Sequence, residues 1–194
     1  MISVENLVML AMLEPECYRR TCDLIREINI ELIKAVFACG ADFVFLGAPG
    51  VEMLSPQIYE DFIIPDSKII TDVVHELGGL VYCHICSPIE PFLSKGYYNK
   101  MGIDLFETLS PPPVGNVPDL ADARRILDDK MCTRGNLGLD VLLNGSQEEI
   151  EQATIKIIEA TKGSKHMIAA SDYLFYDIPL ENIKTVIKTV KEYN

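Results

Sequence analysis

His84 is one of only three histidines in this chain, and it stands two positions before a cysteine, Cys86. The pair closes an apolar run, Leu80-Val81-Tyr82-Cys83-His84-Ile85-Cys86. Alternate residues of a strand point to one face, so Tyr82, His84 and Cys86 share a side and Cys83 and Ile85 take the other. An imidazole nitrogen and a thiolate placed in this way can chelate one Zn²⁺ from a single strand. The same short pattern also describes a buried histidine bonded to backbone beside a core cysteine, and spacing alone leaves both readings open. Three further residues could do chemistry. Glu107 ends the apolar stretch "IDLFETLS" and reads as a catalytic acid/base or a ligand. Tyr82 could contact substrate or pack in a core. Asn136, in "RGN", could contact substrate or tie off a strand end. His75, near the end of a helical stretch, and His166, at the start of a strand, are poorly placed for chemistry.

The elements that must position these residues alternate along the chain. Residues 3–13 and 15–40 have helical periodicity, with Pro15 at a start and Gly40 at a stop. "ADFVFLGAP" reads as a short buried strand, and residues 55–79 as a helix interrupted at Pro65. "LVYCHIC" is the next strand, followed by a short helix over residues 88–102 and the strand "IDLFETLS". A proline-rich loop leads to a helix over residues 119–129 and the strand "KMCTRGN". Ser146 and Glu149 form a capping box that opens a helix; "KHMIAAS" is the last strand and "PLENIKTVIKTVKEY" the closing helix. Five apolar strands separated by helices predict an α/β fold with a parallel sheet, either a barrel or an open doubly wound sheet. No G-x-G-x-x-G follows a strand, which counts against a dinucleotide fold. The polar residues cluster at the strand ends, as catalytic groups do at the C-terminal mouth of a TIM barrel.

Bulk composition narrows the class. The 194 residues suit one domain, and 48% hydrophobic with 24% charged residues is ordinary for a globular chain. A net charge of -12 argues against nucleic acid or an anionic membrane as partner. No apolar run is long enough to span a bilayer, and the N-terminus lacks the features of a signal peptide. Six cysteines without framework spacing read as reduced thiols of a cytoplasmic protein.

Four stretches carry a resemblance. They are "LSPQIYEDFIIPDSKII", "HIC", "RGNLGLDVLLNGSQEEI" and "PLENIKTVIKTVKEY". In these the chain resembles the uroporphyrinogen decarboxylase superfamily, and within it the zinc-dependent methyltransferases that move methyl groups between corrinoid proteins and thiols. The resemblance implies a partial TIM barrel of about five parallel strands, with residues 1–194 as a single domain lacking the family's N-terminal strands. It implies Zn²⁺ held by His84, Cys86 and Asp172. Asp172 lies seven residues before the proline of "PLENI", where the methyltransferases carry cysteine and the decarboxylases histidine. Aspartate makes the ligand set harder; Asp172 reads equally as a loop carboxylate. The implied partners are a small thiol or methylated small molecule and a corrinoid on a partner protein. Decarboxylation of tetrapyrrole acetates and a non-catalytic, partner-binding role are the alternatives. H-x-C favours methyl transfer over decarboxylation; the missing strands, which carry the decarboxylases' porphyrinogen-binding arginines, favour the partner-binding role.

Five strands cannot close a barrel that needs eight. An unclosed sheet is expected to expose inner-row residues such as Phe43, Phe45, Leu80 and Met131. The chain is therefore expected to form a homo-oligomer, by default a two-fold dimer, or to associate with a chain supplying the missing strands. The alternative is that the two N-terminal helices fold over the gap as a lid.

Overall fold

A computed structural model describes residues 3–47, 51–117, 119–174 and 177–193. The end of "ADFVFLGAP" and the last residue of the proline-rich loop lie outside the described residues.

The chain runs α1 (Val4–Leu13), α2 (Pro15–Ala38), β1 (Phe43–Gly47), α3 (Pro56–Ile58), α4 (Ile64–Glu76), β2 (Leu80–His84) and α5 (Glu90–Leu93). It continues through β3 (Leu105–Thr108), α6 (Leu120–Ile126), β4 (Cys132–Leu137), α7 (Leu139–Asn144), α8 (Gln147–Ala160), β5 (His166–Ala170) and α9 (Leu180–Tyr193). The five strands form one sheet in the order β1-β2-β3-β4-β5, and every pairing is parallel. This is the α/β parallel sheet that the alternation of strand and helix predicts, with the five strands that the resemblance implies for a partial barrel. Helix α7 is an addition. Its six residues, bounded by Gly138 and Gly145, are too few to show a helical period.

Side-chain chemistry sets the helix ends. Ser3 caps α1, Ser55 caps α3 and Asp119 caps α6, each accepting a backbone N–H three residues on. The capping box of Ser146 and Glu149 forms as the sequence indicates. Pro65 does not break its helix. A π-helical turn, Tyr59–Ile63, joins α3 to α4. Pro65 has no amide to offer the Asp61 carbonyl four residues back. Arg19 of α2 donates to that carbonyl instead, and also bonds Asp66 Oδ1 at 3.0 Å.

Arg26 joins Arg19 on Asp66, and the Tyr18 ring meets Phe62 edge-on at 4.8 Å. These contacts dock α2 against the α3–α4 side, and Ala11 brings α1 with it by packing in one cluster with Tyr18 and Ile58. The lid arrangement is thereby corrected: Phe43, Phe45 and Leu80 remain 59%, 54% and 58% exposed. Met131 is also corrected. It lies just before β4, not in the inner row, and is only 4% exposed. The opposite face of the sheet is sealed by helices, with Val81, Cys83, Phe106 and Thr133 at the floor of the core. Among the described residues β1 and β5 are unpaired edges, so the sheet is a strip of barrel with an open inner face.

Candidate metal centre

Strand register builds the site. Gly47 pairs with His84, His84 with Glu107, Glu107 with Arg134 and Arg134 with Met167. Paired residues of a parallel sheet point to the same face, so one row across the open face carries a histidine, a carboxylate and a guanidinium. Tyr82 sits two residues below His84, on the same side. At Gly135 (φ +136°) an added Cβ would fall 2.2 Å from the Thr108 carbonyl oxygen. Glycine thus permits the close approach of β4 to β3 next to Arg134.

His84, Cys86 and Asp172 converge at the mouth of this row. One ligand atom from each lies within 4.8 Å of the others, and all three side chains are partly buried. Ladder pairing of β2 ends at His84, one turn of pleat earlier than the apolar run suggests. The Ile85 amide still donates to the Glu107 carbonyl at 2.9 Å, which carries the chain on to present Cys86 beside His84. Asp172 follows β5 and also accepts the Tyr173 amide at 2.7 Å. The Phe45 and Tyr173 rings stand 5.9 and 6.3 Å from the His84 ring.

Glu107 is 4% exposed and engages both its oxygens. Oε1 meets His84 Nδ1 at 2.5 Å, and Oε2 accepts from Arg134. Burial alone would raise its pKa, but hydrogen bonds from Tyr82, His84 and Arg134 outweigh burial and hold the carboxyl below its ordinary value. Desolvation would lower the Arg134 pKa, but the bond and charge of Glu107 raise it. Burial pushes the Tyr82 phenol up, and the hydrogen bond to Glu107 adds to this. The Cys86 thiol is raised first by burial and then by the negative charge of Asp172, with Glu107 and Glu52 adding to it. A cation would reverse that balance. With Nδ1 engaged by Glu107, Nε2 is the ring nitrogen left for a ligand, an orientation typical of metal-bound histidine. The donor set of one nitrogen, one sulfur and one oxygen therefore fits Zn²⁺.

A cavity of about 590 Å³ opens in front of this cluster, bordered by Tyr82, His84, Glu107, Arg134, Asp172 and Tyr173. Tyr82 and Glu107 thus join the candidate ligands in one place. Asn136 does not line this cavity. Its amide donates to the Leu109 carbonyl at 2.9 Å and ties β4 to the end of β3. A larger cleft of about 860 Å³ lies between α8, α9 and the start of β5, away from the converging ligand atoms. His166 borders it, at the opposite strand end from His84, Cys86 and Asp172, bonded to Thr133 and the Gly135 carbonyl. Arg134 is the residue that reading the sequence passes over. Its signal was present: aligned by their starts, the apolar runs that begin at Leu80, Ile103 and Lys130 each carry the residue in question four positions on, and these residues, His84, Glu107 and Arg134, share a register row.

Residues 1–193 match the model of a family described as Uroporphyrinogen decarboxylase (URO-D). Among the curated relatives, a uroporphyrinogen decarboxylase of Trichodesmium erythraeum is 26% identical over 195 residues, covering 96% of this chain and 51% of the relative. The Methylcobamide:CoM methyltransferase MtbA of Methanosarcina mazei is 25% identical over 174 residues, covering 88% of this chain and 48% of the relative. The chain spans about half the length of the curated relatives it matches. Among solved structures, a methyltransferase from Methanosarcina mazei superposes with a TM-score of 0.80 at 17% identity, covering 99% of this chain and 54% of that one. That likeness is one of fold.

Proposed function

The chain belongs to the uroporphyrinogen decarboxylase family, and from that premise we propose that it serves zinc-dependent methyl transfer between a corrinoid carrier and a small thiol. The observation that carries this reading is the convergence of His84, Cys86 and Asp172 within 4.8 Å. His84 and Cys86 form the H-x-C pair, and Asp172 supplies the third donor from the last strand's loop. When bound, zinc supplies Lewis acidity that holds a thiol as thiolate near neutral pH. The chain's own residues do the rest. Glu107 fixes the His84 ring through Nδ1. Phe45, Tyr82 and Tyr173 border the approach to the ligands with aromatic surface. The methyl donor follows the name of one relative, the Methylcobamide:CoM methyltransferase MtbA of Methanosarcina mazei. The corrinoid resides on a partner protein in this reading, and Asn136 acts only in the fold, tying β4 to the end of β3.

The decarboxylase reading is favoured by the names of several relatives, including those of Trichodesmium and Synechocystis. It requires a tetrapyrrole site, and among the described residues Arg134 is the one cationic side chain bordering the cavity. We therefore expect no turnover of uroporphyrinogen by this chain alone.

Elemental analysis of the chain purified without chelator tests the metal reading. About one zinc per chain is expected, with none in His84→Ala. Proton release on adding a small thiol to the zinc form should be measurable and absent in Cys86→Ser. A wild-type chain that neither retains nor takes up zinc would sink the proposal.

A further inference from the structure

We infer that Arg134 is a positioning residue of the metal site: it anchors the far oxygen of Glu107 and thereby holds His84 in the ring orientation that offers Nε2 to the metal. This rests on the metal reading given above. Three observations place Arg134 in that role. It stands in the same register row as Glu107 and His84, one strand further along. Glu107 divides its two oxygens between the two partners, Oε1 to His84 and Oε2 to Arg134. A carboxylate pinned at one oxygen only could swing about its last torsion; pinned at both, it presents Oε1 to His84 in one geometry. Beside Arg134, Gly135 lets β4 approach the Thr108 carbonyl closely, within the register that pairs Arg134 with Glu107. The Arg134 side chain is 42% exposed and borders the cavity, but its bond is to the buried carboxylate.

A simpler role would be to offset the buried charge of Glu107. That role changes the stability of the metal-free fold and leaves metal affinity alone. The two roles separate in a zinc competition titration against a chromogenic chelator, on the full chain, with Arg134→Gln, Glu107→Gln and the double variant. Metal-free thermal unfolding is recorded alongside. Partners in this outer position are typically worth about 10- to 100-fold in metal affinity. Arg134→Gln should weaken zinc binding by about 10-fold. If Arg134 acts through Glu107, the double variant binds no more weakly than Glu107→Gln alone. Arg134→Lys, which keeps one donor for Oε2, should recover most of the loss. Wild-type zinc affinity in Arg134→Gln, or single effects that multiply in the double variant, would overturn the inference while leaving the metal reading intact. Loss of zinc binding by the wild type sinks the metal reading itself. A measurement on the unmodified chain covers the case in which a variant does not fold. Long-range ¹H–¹⁵N spectra of the metal-free protein should show neutral His84 protonated at Nδ1; protonation at Nε2 would overturn the inference.

Discussion

On the helix-covered face of the sheet Val81, Cys83, Phe106 and Thr133 are at most 1% exposed, whereas on the open face Phe43, Phe45 and Leu80 are 54–59% exposed. The polar chemistry follows the same division. Tyr82, His84, Glu107 and Arg134 all occupy the open face. Two cysteines three residues apart show what this means. Cys83 points into the covered face, where burial pushes its thiol up to about 12, and it acts as a small apolar side chain. Cys86 stands at the mouth beside His84 and Asp172. Residue type alone does not assign the role; the face does.

The largest effects should come from the covered face. Phe106→Ala removes a fully buried ring stacked 4.4 Å from Tyr98. It is expected to cost about 3–5 kcal/mol in urea unfolding. Phe45→Ala, on the open face, should cost less than about 1 kcal/mol. A second variant at this position, Phe45→Lys, should weaken self-association in sedimentation at rising concentration, because contiguous exposed apolar surface favours a partner. Equal losses of stability at Phe106 and Phe45 would erase the distinction between the faces.

The cysteine pair sharpens it. Cys83→Ser places a hydroxyl in the sealed core, at an expected cost of about 1–3 kcal/mol, and should leave zinc binding unchanged. Cys86→Ser should leave stability within about 1 kcal/mol of wild type while severely weakening zinc binding. Zinc analysis and unfolding of both variants read out the crossed pattern. A reversed pattern would mean that the strand carries the opposite face inward.

Much of this arrangement was legible in the sequence, and the rest was hidden for physical reasons. The strand period of two placed His84 on one face and Cys83 on the other. The strand–helix alternation gave the parallel sheet. Asp172 came from resemblance alone, since no local pattern links it to residues on β2. Arg134 escaped because its partner, Glu107, lies 27 positions earlier and meets it only through register. The turn at Tyr59–Ile63 was hidden similarly: Pro65 reads as a break, and the donor that relieves it comes from Arg19, 42 positions before the carbonyl it serves.

That relief gives the next expectation. Arg19→Ala leaves the Asp61 carbonyl without its donor and removes one of two guanidinium partners of Asp66. The loss should be about 1 kcal/mol, since Arg26 still pairs with Asp66 and the site is partly open to water. A loss of several kcal/mol in chemical unfolding would make α2 a principal element of the core instead of a cover for the α3–α4 side.

The smallest effect should come from the histidine at the far end of the strands. His166 is half-buried, and desolvation lowers its pKa below the ordinary value of about 6.5. The hydrogen bond to the Gly135 carbonyl opposes that shift, and the positive charge of Arg124 adds to it. Nε2 lies 2.9 Å from the Gly135 carbonyl and Nδ1 lies 2.8 Å from the Thr133 hydroxyl. The neutral ring satisfies both, donating through Nε2 and accepting at Nδ1. With the folded pKa below the unfolded one, the unfolded chain binds the proton first as pH falls. The contribution of His166 to stability is therefore complete above about pH 6.5 and declines as pH drops below it. His166→Asn should flatten that part of the stability profile between about pH 6.5 and the folded-state value, leaving the carboxylate-driven loss at lower pH in place. Because His166 sits at the opposite strand ends from His84, the substitution should leave zinc affinity untouched at neutral pH. A coupled loss of zinc affinity would show that the two ends of the strip communicate, and that its covered core does not insulate the mouth from changes at the base.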